Sequence, residues 1–425
     1  MGQIVDLLIT NAAQVCVLPA QNNGPQRGSF LGALGLIENA AVAITDGKIV
    51  RVGPSSELAQ TYQAAETLDA QGRAIIPGLV DPHTHLVWAG DRAAEFEMRL
   101  AGATYMEIMA AGGGINNTVS KTRAATVDEI VAETRPRLER MLRLGTTTVE
   151  IKTGYGLNIE TEIKLLEAIY RLQDECDFVD ITPTFLGAHA IPPEYKDRAD
   201  AYVSALVDHM IPAVAEYATT NHRVMPFIDV FCEAGVFDVA QTRRILEAGQ
   251  AAGMPLKIHS DEFEALGGTA LAVEMGAVSA DHLISTPAAD IAALGHGSTV
   301  AVSLPATPFG LAHEHYSPAK QIIDAGGALA LATDCNPGTA WCESMQFVIA
   351  LACRSMQITP SQALAAATIN AAFALGMGDR VGSLEAGKQA DLVILDTADW
   401  RHIAYRFGGN LARTVIKHGR VVWTS

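Results

Sequence analysis

Two kinds of apolar patterning divide the chain. Residues 1–73 carry short β-type runs, Asp6-Leu7-Leu8-Ile9-Thr10, Ala41-Val42-Ala43-Ile44 and Lys48-Ile49-Val50-Arg51-Val52-Gly53, punctuated by Asn, Asp-Gly and Gly-Pro. Asp46-Gly47 between two of them predicts a tight hairpin, and the polar stretch 21–28 reads as a loop. Residues 385–425 share that character, in Ala390-Asp391-Leu392-Val393-Ile394-Leu395 and in 415–423, with His418-Gly419 as a turn. Across 74–384 the pattern changes. Short apolar runs recur at 75–80, 146–151, 180–186, 227–231, 255–258, 277–280, 299–303 and 328–332. Between them lie helix-period segments such as 160–175, 194–218, 239–252 and 265–275. Runs joined in this way predict parallel βα units. Their number fits an α/β fold, a (β/α)8 TIM-type barrel. The two chain ends are expected to assemble one small β-sandwich domain from 1–73 and 385–425. A doubly wound open sheet is the competing architecture, weakened because no glycine-rich phosphate fingerprint follows the first run.

Composition narrows the function. The chain has 425 residues, 49% hydrophobic and only 18% charged, which excludes extended disorder and permits a core without staples. With 30 Lys+Arg against 47 Asp+Glu the net charge is −17. That balance argues against nucleic acid or an anionic membrane as partner, and a small anionic substrate would need a local cation. The six Cys are too irregularly spaced for a disulfide framework or a paired-Cys zinc module and read as reduced thiols. The start lacks the cationic flank of a signal peptide and has Asp6 where a myristoylation signal wants Ser or Thr. No uncharged apolar run reaches the roughly 18 residues of a membrane span. The cytoplasm is the expected compartment, and a homodimer is compatible with the sequence without being indicated by it.

The candidate chemistry sits at the ends of the predicted barrel strands, where such folds build active sites. His83 and His85 follow the first run, His189 the third, His259 the fifth, His282 the sixth and Asp334 the eighth. In Asp81-Pro82-His83-Thr84-His85 the two imidazoles, at i and i+2, can point the same way and reach one cation. Alone that pair reads equally as polar loop histidines; His259 and Asp334 at two further strand ends strengthen the metal reading. Three neutral imidazoles and a carboxylate suit zinc, and also iron or manganese, with a position left for water. Such an ion brings the pKa of bound water toward about 7.

Glu262, three residues beyond His259, is the candidate acid/base, although a helix N-terminal acid is the plain alternative and Asp261 competes with it. His282 could be a fifth ligand, could steady the attacking hydroxide, or could be structural. The fourth strand end, Val230-Phe231-Cys232-Glu233, has no Lys to bridge a second ion, and Lys152 lies on the wrong strand, so one metal is expected. His313-Glu314-His315 repeats the spacing in a loop and reads as surface. His209, His222, His296, His402 and His418 have no supporting context.

Pro77-Gly78-Leu79-Val80-Asp81-Pro82-His83-Thr84-His85, with Ala332-Thr333-Asp334 and Gly387-Lys388-Gln389-Ala390-Asp391-Leu392, resembles the amidohydrolase superfamily over nearly the whole chain. Trp88-Ala89-Gly90-Asp91-Arg92-Ala93-Ala94-Glu95-Phe96-Glu97, Met109-Ala110-Ala111-Gly112-Gly113-Gly114-Ile115, Glu150-Ile151-Lys152-Thr153-Gly154-Tyr155-Gly156 and Thr333-Asp334-Cys335-Asn336-Pro337-Gly338-Thr339 resemble, more narrowly, the imidazolonepropionase family. The resemblance implies hydrolysis of 4-imidazolone-5-propanoate to N-formimidoyl-L-glutamate, in histidine degradation. It implies His83, His85, His259 and Asp334 as metal ligands, zinc first and iron as the alternative. Arg92, Tyr155 and His189 would contact substrate, Asn336, Gly338 and Thr339 would line the site, and Glu262 would be the acid/base.

Arg92 offers a fork matched to a carboxylate. The glycines 112–114 read as a lid segment or as a plain helix stop. The expected mechanism is attack of a metal-activated hydroxide on the ring carbonyl, with His282 steadying the oxyanion and Asp334 and Glu262 sharing the protons. Two rivals remain at this level: another cyclic amidase or an aminated-ring deaminase of the same superfamily, and a catalytically dead scaffold, which the intact ligand set disfavours.

Overall fold

The computed structural model describes residues 3–103, 107 and 113–425. The expected glycine segment therefore lies partly outside the described residues. Two eight-stranded sheets carry the fold. The first draws on both chain ends: β1 (Gln3–Val15), β2 (Ile37–Thr45), β3 (Lys48–Pro54), β4 (Tyr62–Asp69) and β5 (Ala74–Pro77), then, after a long excursion, β14 (Leu392–Leu395), β15 (Ala412–Lys417) and β16 (Arg420–Thr424). Its order is β16-β15-β14-β5-β1-β2-β3, with β4 parallel to β1, so it is a mixed sheet. The Asp46-Gly47 hairpin forms as expected, with Thr45 opposite Lys48 and both turn residues at positive φ.

The excursion is the barrel. Its strands are β6 (Leu79–Asp81), β7 (Thr146–Lys152), β8 (Asp180–Ala188), β9 (Phe227–Cys232), β10 (Lys257–Ser260), β11 (Ser279–His282), β12 (Val300–Ser303) and β13 (Ala328–Leu331), every adjacent pair parallel. Intervening helices carry an apolar stripe onto this sheet. Helix Val127–Arg143 opens with a Thr126–Glu129 capping box and buries Ile130, Val131, Thr134, Arg137, Leu138, Met141 and Leu142, a spacing of three to four residues. Beyond β13 and β6 the chain closes the ring: Asp334 N–H donates to the His83 carbonyl at 3.1 Å, and His85 N–H to the Cys335 carbonyl at 2.9 Å. Closure thus sets the last strand end beside the first histidine pair. Among the described residues no helix is long and apolar enough to cross a membrane.

The structure corrects several element boundaries. The apolar run 75–80 is two strands: Ala74–Pro77 pairs antiparallel with β14 in the terminal sheet, and Leu79–Asp81 begins the barrel. Gly78 is the break, where a Cβ would overlap Thr147 Oγ1. The runs expected at 255–258 and 277–280 extend to Ser260 and His282, because polar side chains facing the barrel interior continue the ladder after the apolar pattern has stopped. The single helix expected over 194–218 is broken into Pro193–Tyr195, Ala199–Ala205, a π-helical turn Leu206–Met210 and Ile211–Thr220; the π turn ends two residues before Pro212, which has no N–H to give.

Candidate metal centre and reaction cavity

At the C-terminal end of the barrel strands lies a cavity of about 460 Å³, lined by His85, Arg92, Tyr155, His189, His259, Glu262, His282, Asp334, Asn336, Gly338 and Thr339 among others. Every candidate site residue but one faces it; His83 is wholly buried at its floor. His83, His85 and His259 offer ring nitrogens within 4.8 Å of one another, and a second such group joins ring nitrogens of His83 and His282 to a carboxylate oxygen of Asp334.

A carboxylate beside Nδ1 orients two of these rings, through a hydrogen bond at His83 and a close contact at His259. His83 Nδ1 lies 2.6 Å from Asp281 Oδ2, and His259 Nδ1 lies 2.9 Å from Asp229 Oδ2. A carboxylate takes the proton-bearing nitrogen, so each ring turns an Nε2 lone pair inward. There the inward atoms meet other acceptors. His83 Nε2 is 3.6 Å and His85 Nε2 3.3 Å from Asp334 Oδ1, and His259 Nε2 is 3.5 Å from His85 Nε2. The buried Nε2 of His83 has no hydrogen-bond partner. The Nε2 lone pairs of His83 and His259, turned toward a carboxylate and a third imidazole, call for a cation. Burial foremost, then the nearby Lys152 ammonium, holds His83 neutral, the form a ligand needs; burial likewise lowers His85. Asp334 keeps Oδ1 toward the rings while Thr307 Oγ1 donates to its Oδ2 at 2.6 Å. The residues present therefore fit a resident metal ion.

The other groups surround this point. Glu262 is buried, and burial, with the charges of Asp334 and Glu233 behind it, raises its carboxyl well above the usual range. Its Oε2 lies 3.6 Å from His282 Nδ1. Burial lowers His282 to about 3, so the ring is neutral, and both its nitrogens are buried without a partner. Asp261, the rival acid, instead accepts Thr269 and Thr286 hydroxyls at 2.6 and 2.9 Å and does not line the cavity. His282 and Asp334 both sit at positive φ, 79° and 53°, a strain that aims their side chains inward. His189 stacks on His85 at 4.9 Å between ring centres and binds the Gly154 carbonyl through Nδ1.

Arg92 gives Nε and Nη2 to Glu95 at 2.9 and 2.5 Å, leaving its Nη1 edge against Gly338, where a Cβ would overlap it. The Asn336 amide is consumed locally: Oδ1 accepts the Gly338 and Thr339 N–H groups, and Nδ2 donates to the Asp334 carbonyl and Thr339 Oγ1. Asn336 and Thr339 thus shape this wall of the cavity.

Three buried glutamates that the sequence reading did not single out as anchors hold the loops. Glu95 binds Arg92 and the Gly114 N–H; Glu162 accepts N–H groups from Gly154, Gly156 and Leu157 around Tyr155. Glu233 accepts the Phe263 and Glu264 N–H groups at 2.9 and 3.0 Å, holding the Glu262 loop. A Glu just after a strand or in a first helical turn is the only trace of this in the sequence. His313-Glu314-His315 is exposed, as expected.

A family model for the amidohydrolase family matches residues 74–422. An imidazolonepropionase of Herpetosiphon aurantiacus is 54% identical over 98% of this chain and 97% of its own length. One from Chloroflexus aggregans is 49% identical over 99% of both. Among solved structures, an adenosine deaminase from Xanthomonas campestris with bound zinc superposes with a TM-score of 0.70 over 99% of this chain and 93% of that one, at 21% identity. A 5-methylcytosine deaminase from Klebsiella pneumoniae gives 0.72 over 98% and 97%, at 18% identity. At such identities the likeness concerns the fold alone.

Proposed function

The chain belongs to the amidohydrolase family and, within it, to the imidazolonepropionases, and on that footing we propose how its residues divide the work. Its activity is that of an imidazolonepropionase, the hydrolytic opening of 4-imidazolone-5-propanoate to N-formimidoyl-L-glutamate. His83, His85, His259 and Asp334 hold one divalent ion, zinc before iron. When bound, that ion supplies Lewis acidity and an activated water at neutral pH.

The remaining steps belong to side chains. Arg92 receives the propanoate carboxylate on its free Nη1 edge, which Glu95 keeps aimed past Gly338. Tyr155 and His189 form the wall against which the ring lies, opposite Asn336, Gly338 and Thr339. Asp334, whose Oδ1 faces the rings and whose Oδ2 accepts the Thr307 hydroxyl, takes the proton of the attacking water. The neutral His282 donates its one N–H to the carbonyl oxygen as negative charge gathers there. Glu262, kept protonated by burial, delivers its proton to the leaving ring nitrogen as the C–N bond breaks. We place this reaction in the cytoplasm, in keeping with six free cysteines.

The observation that carries the reading is the convergence of His83 Nε2 and His85 Nε2 on Asp334 Oδ1 within the cavity that Arg92 and Glu262 also line. Substrate absorbance should fall with enzyme and cease after chelation. An imidazolone lacking the propanoate arm should turn over far less efficiently; equal turnover would point to a different ring substrate.

A further inference from the structure

Beneath the imidazoles the barrel holds a layer of charge shut off from water. Glu150, Lys152, Asp229, Lys257 and Asp281 are all fully buried. Lys152 Nζ lies 2.8 Å from Glu150 Oε2, 2.8 Å from Asp229 Oδ2 and 3.8 Å from Asp281 Oδ2. Lys257 Nζ lies 3.2 Å from Glu150 Oε1 and 3.8 Å from Asp281 Oδ2, and donates to the Pro82 carbonyl at 2.9 Å. Two of these carboxylates also reach upward. Asp229 Oδ2 meets His259 Nδ1 while its Oδ1 accepts the His259 backbone N–H at 3.2 Å; Asp281 Oδ2 meets His83 Nδ1. Buried ion clusters are poor sources of stability, since apolar side chains of similar volume do as well or better. The geometry suits a different use.

We propose that Lys152 is a positioning residue that presets His83 and His259 for a metal ion before the ion arrives. Its ammonium pins Asp229 directly and faces Asp281, and these hold both rings as Nδ1–H tautomers with Nε2 aimed at one point. Without Lys152, Asp229 Oδ2 loses its second anchor and can turn away from His259. A site already facing the right way binds its ion without first reorganising four side chains. The inference rests on the ligand assignment above and adds to it a residue that touches neither ion nor substrate.

The test compares zinc affinity of chelator-stripped wild type, Lys152→Met and the charge-balanced Lys152→Met/Glu150→Gln, by competition with a chromophoric chelator. Near-ultraviolet circular dichroism reports which proteins are folded. The expected result is affinity lowered about 10–100-fold in a folded variant. Unchanged affinity in a folded variant overturns the proposal, and a merely structural lysine would lower Tm without moving affinity. Should neither variant fold, ¹⁵N-histidine spectra of metal-free wild type decide: Nδ1–H at both His83 and His259 supports presetting, and an Nε2–H or averaged ring at either refutes it. A wild type that binds no zinc would instead sink the ligand assignment.

Discussion

The terminal sheet and the barrel mouth both bury charge, and they treat it in opposite ways. Where the terminal sheet meets the barrel, Lys417 Nζ sits 2.6 Å from Asp391 Oδ2 and 2.8 Å from Asp180 Oδ2 at the start of β8, and the His418 N–H takes the other Asp391 oxygen at 2.9 Å. The Lys417 ammonium and the His418 N–H each find an acceptor. At the mouth polar atoms are left open: His83 Nε2 and both His282 nitrogens have no partner, and two strand-end residues are held at positive φ. Closed polar groups hold a fold together; open ones, kept open at a cost in stability, are what chemistry uses. Which category a group belongs to should show in what breaks when it is changed.

The largest effect is expected at the mouth. Glu262→Gln should lower kcat roughly 10²–10⁴-fold with metal content and Tm unchanged, read by steady-state kinetics and elemental analysis. Normal turnover would remove Glu262 from the reaction. Lys417→Met is the mirror image. Leaving Asp391 and Asp180 without their ammonium should cost about 3–5 kcal/mol in chemical denaturation while kcat/KM of the folded protein holds. Loss of activity without loss of stability would erase the contrast. Arg92→Ala should raise KM about 10–100-fold with a smaller change in kcat, the worth of hydrogen bonds to a charged group; an unmoved KM would shift the carboxylate clamp elsewhere.

The smallest effect is a pH dependence. Burial pushes Asp180 up, but the His418 hydrogen bond and the Lys417 ammonium outweigh it and hold the carboxyl at about 2. The folded value lies below the unfolded one, so the stabilisation is complete above about pH 4 and drains away as pH falls toward 2, amounting to about 2 kcal/mol. Urea unfolding across that window should show the slope in wild type and a weaker one in Lys417→Met.

Much of this contrast was legible in the chain. His83, His85, His259 and Asp334 could be read because each follows an apolar run, and runs alternating with helical segments imply a common mouth. The resemblance to known families supplied Arg92, Tyr155 and the Asn336–Thr339 wall, which spacing alone would have left as loop residues. The buried layer escaped notice although its parity is in the sequence. Glu150 and Lys152 are two apart on β7, and Lys257 precedes His259 by two on β10, so each pair shares a face. Charges inside strands read as edges when the period is judged by hydrophobicity. The split at Gly78 was hidden because both short strands are apolar, and only the pairing partners separate them. Left-handed backbone at His282 and Asp334 has no sequence signature, since neither is glycine.

One measurement bears most directly on the central claim, that lone pairs of three imidazoles and one carboxylate face inward to share a single cation. Stripped protein is titrated with zinc while bound metal and turnover of 4-imidazolone-5-propanoate are followed together. Activity returning in step with occupancy and levelling at one ion per chain is the predicted result. Full turnover by the stripped protein, or activity that climbs only with a second ion, would contradict it.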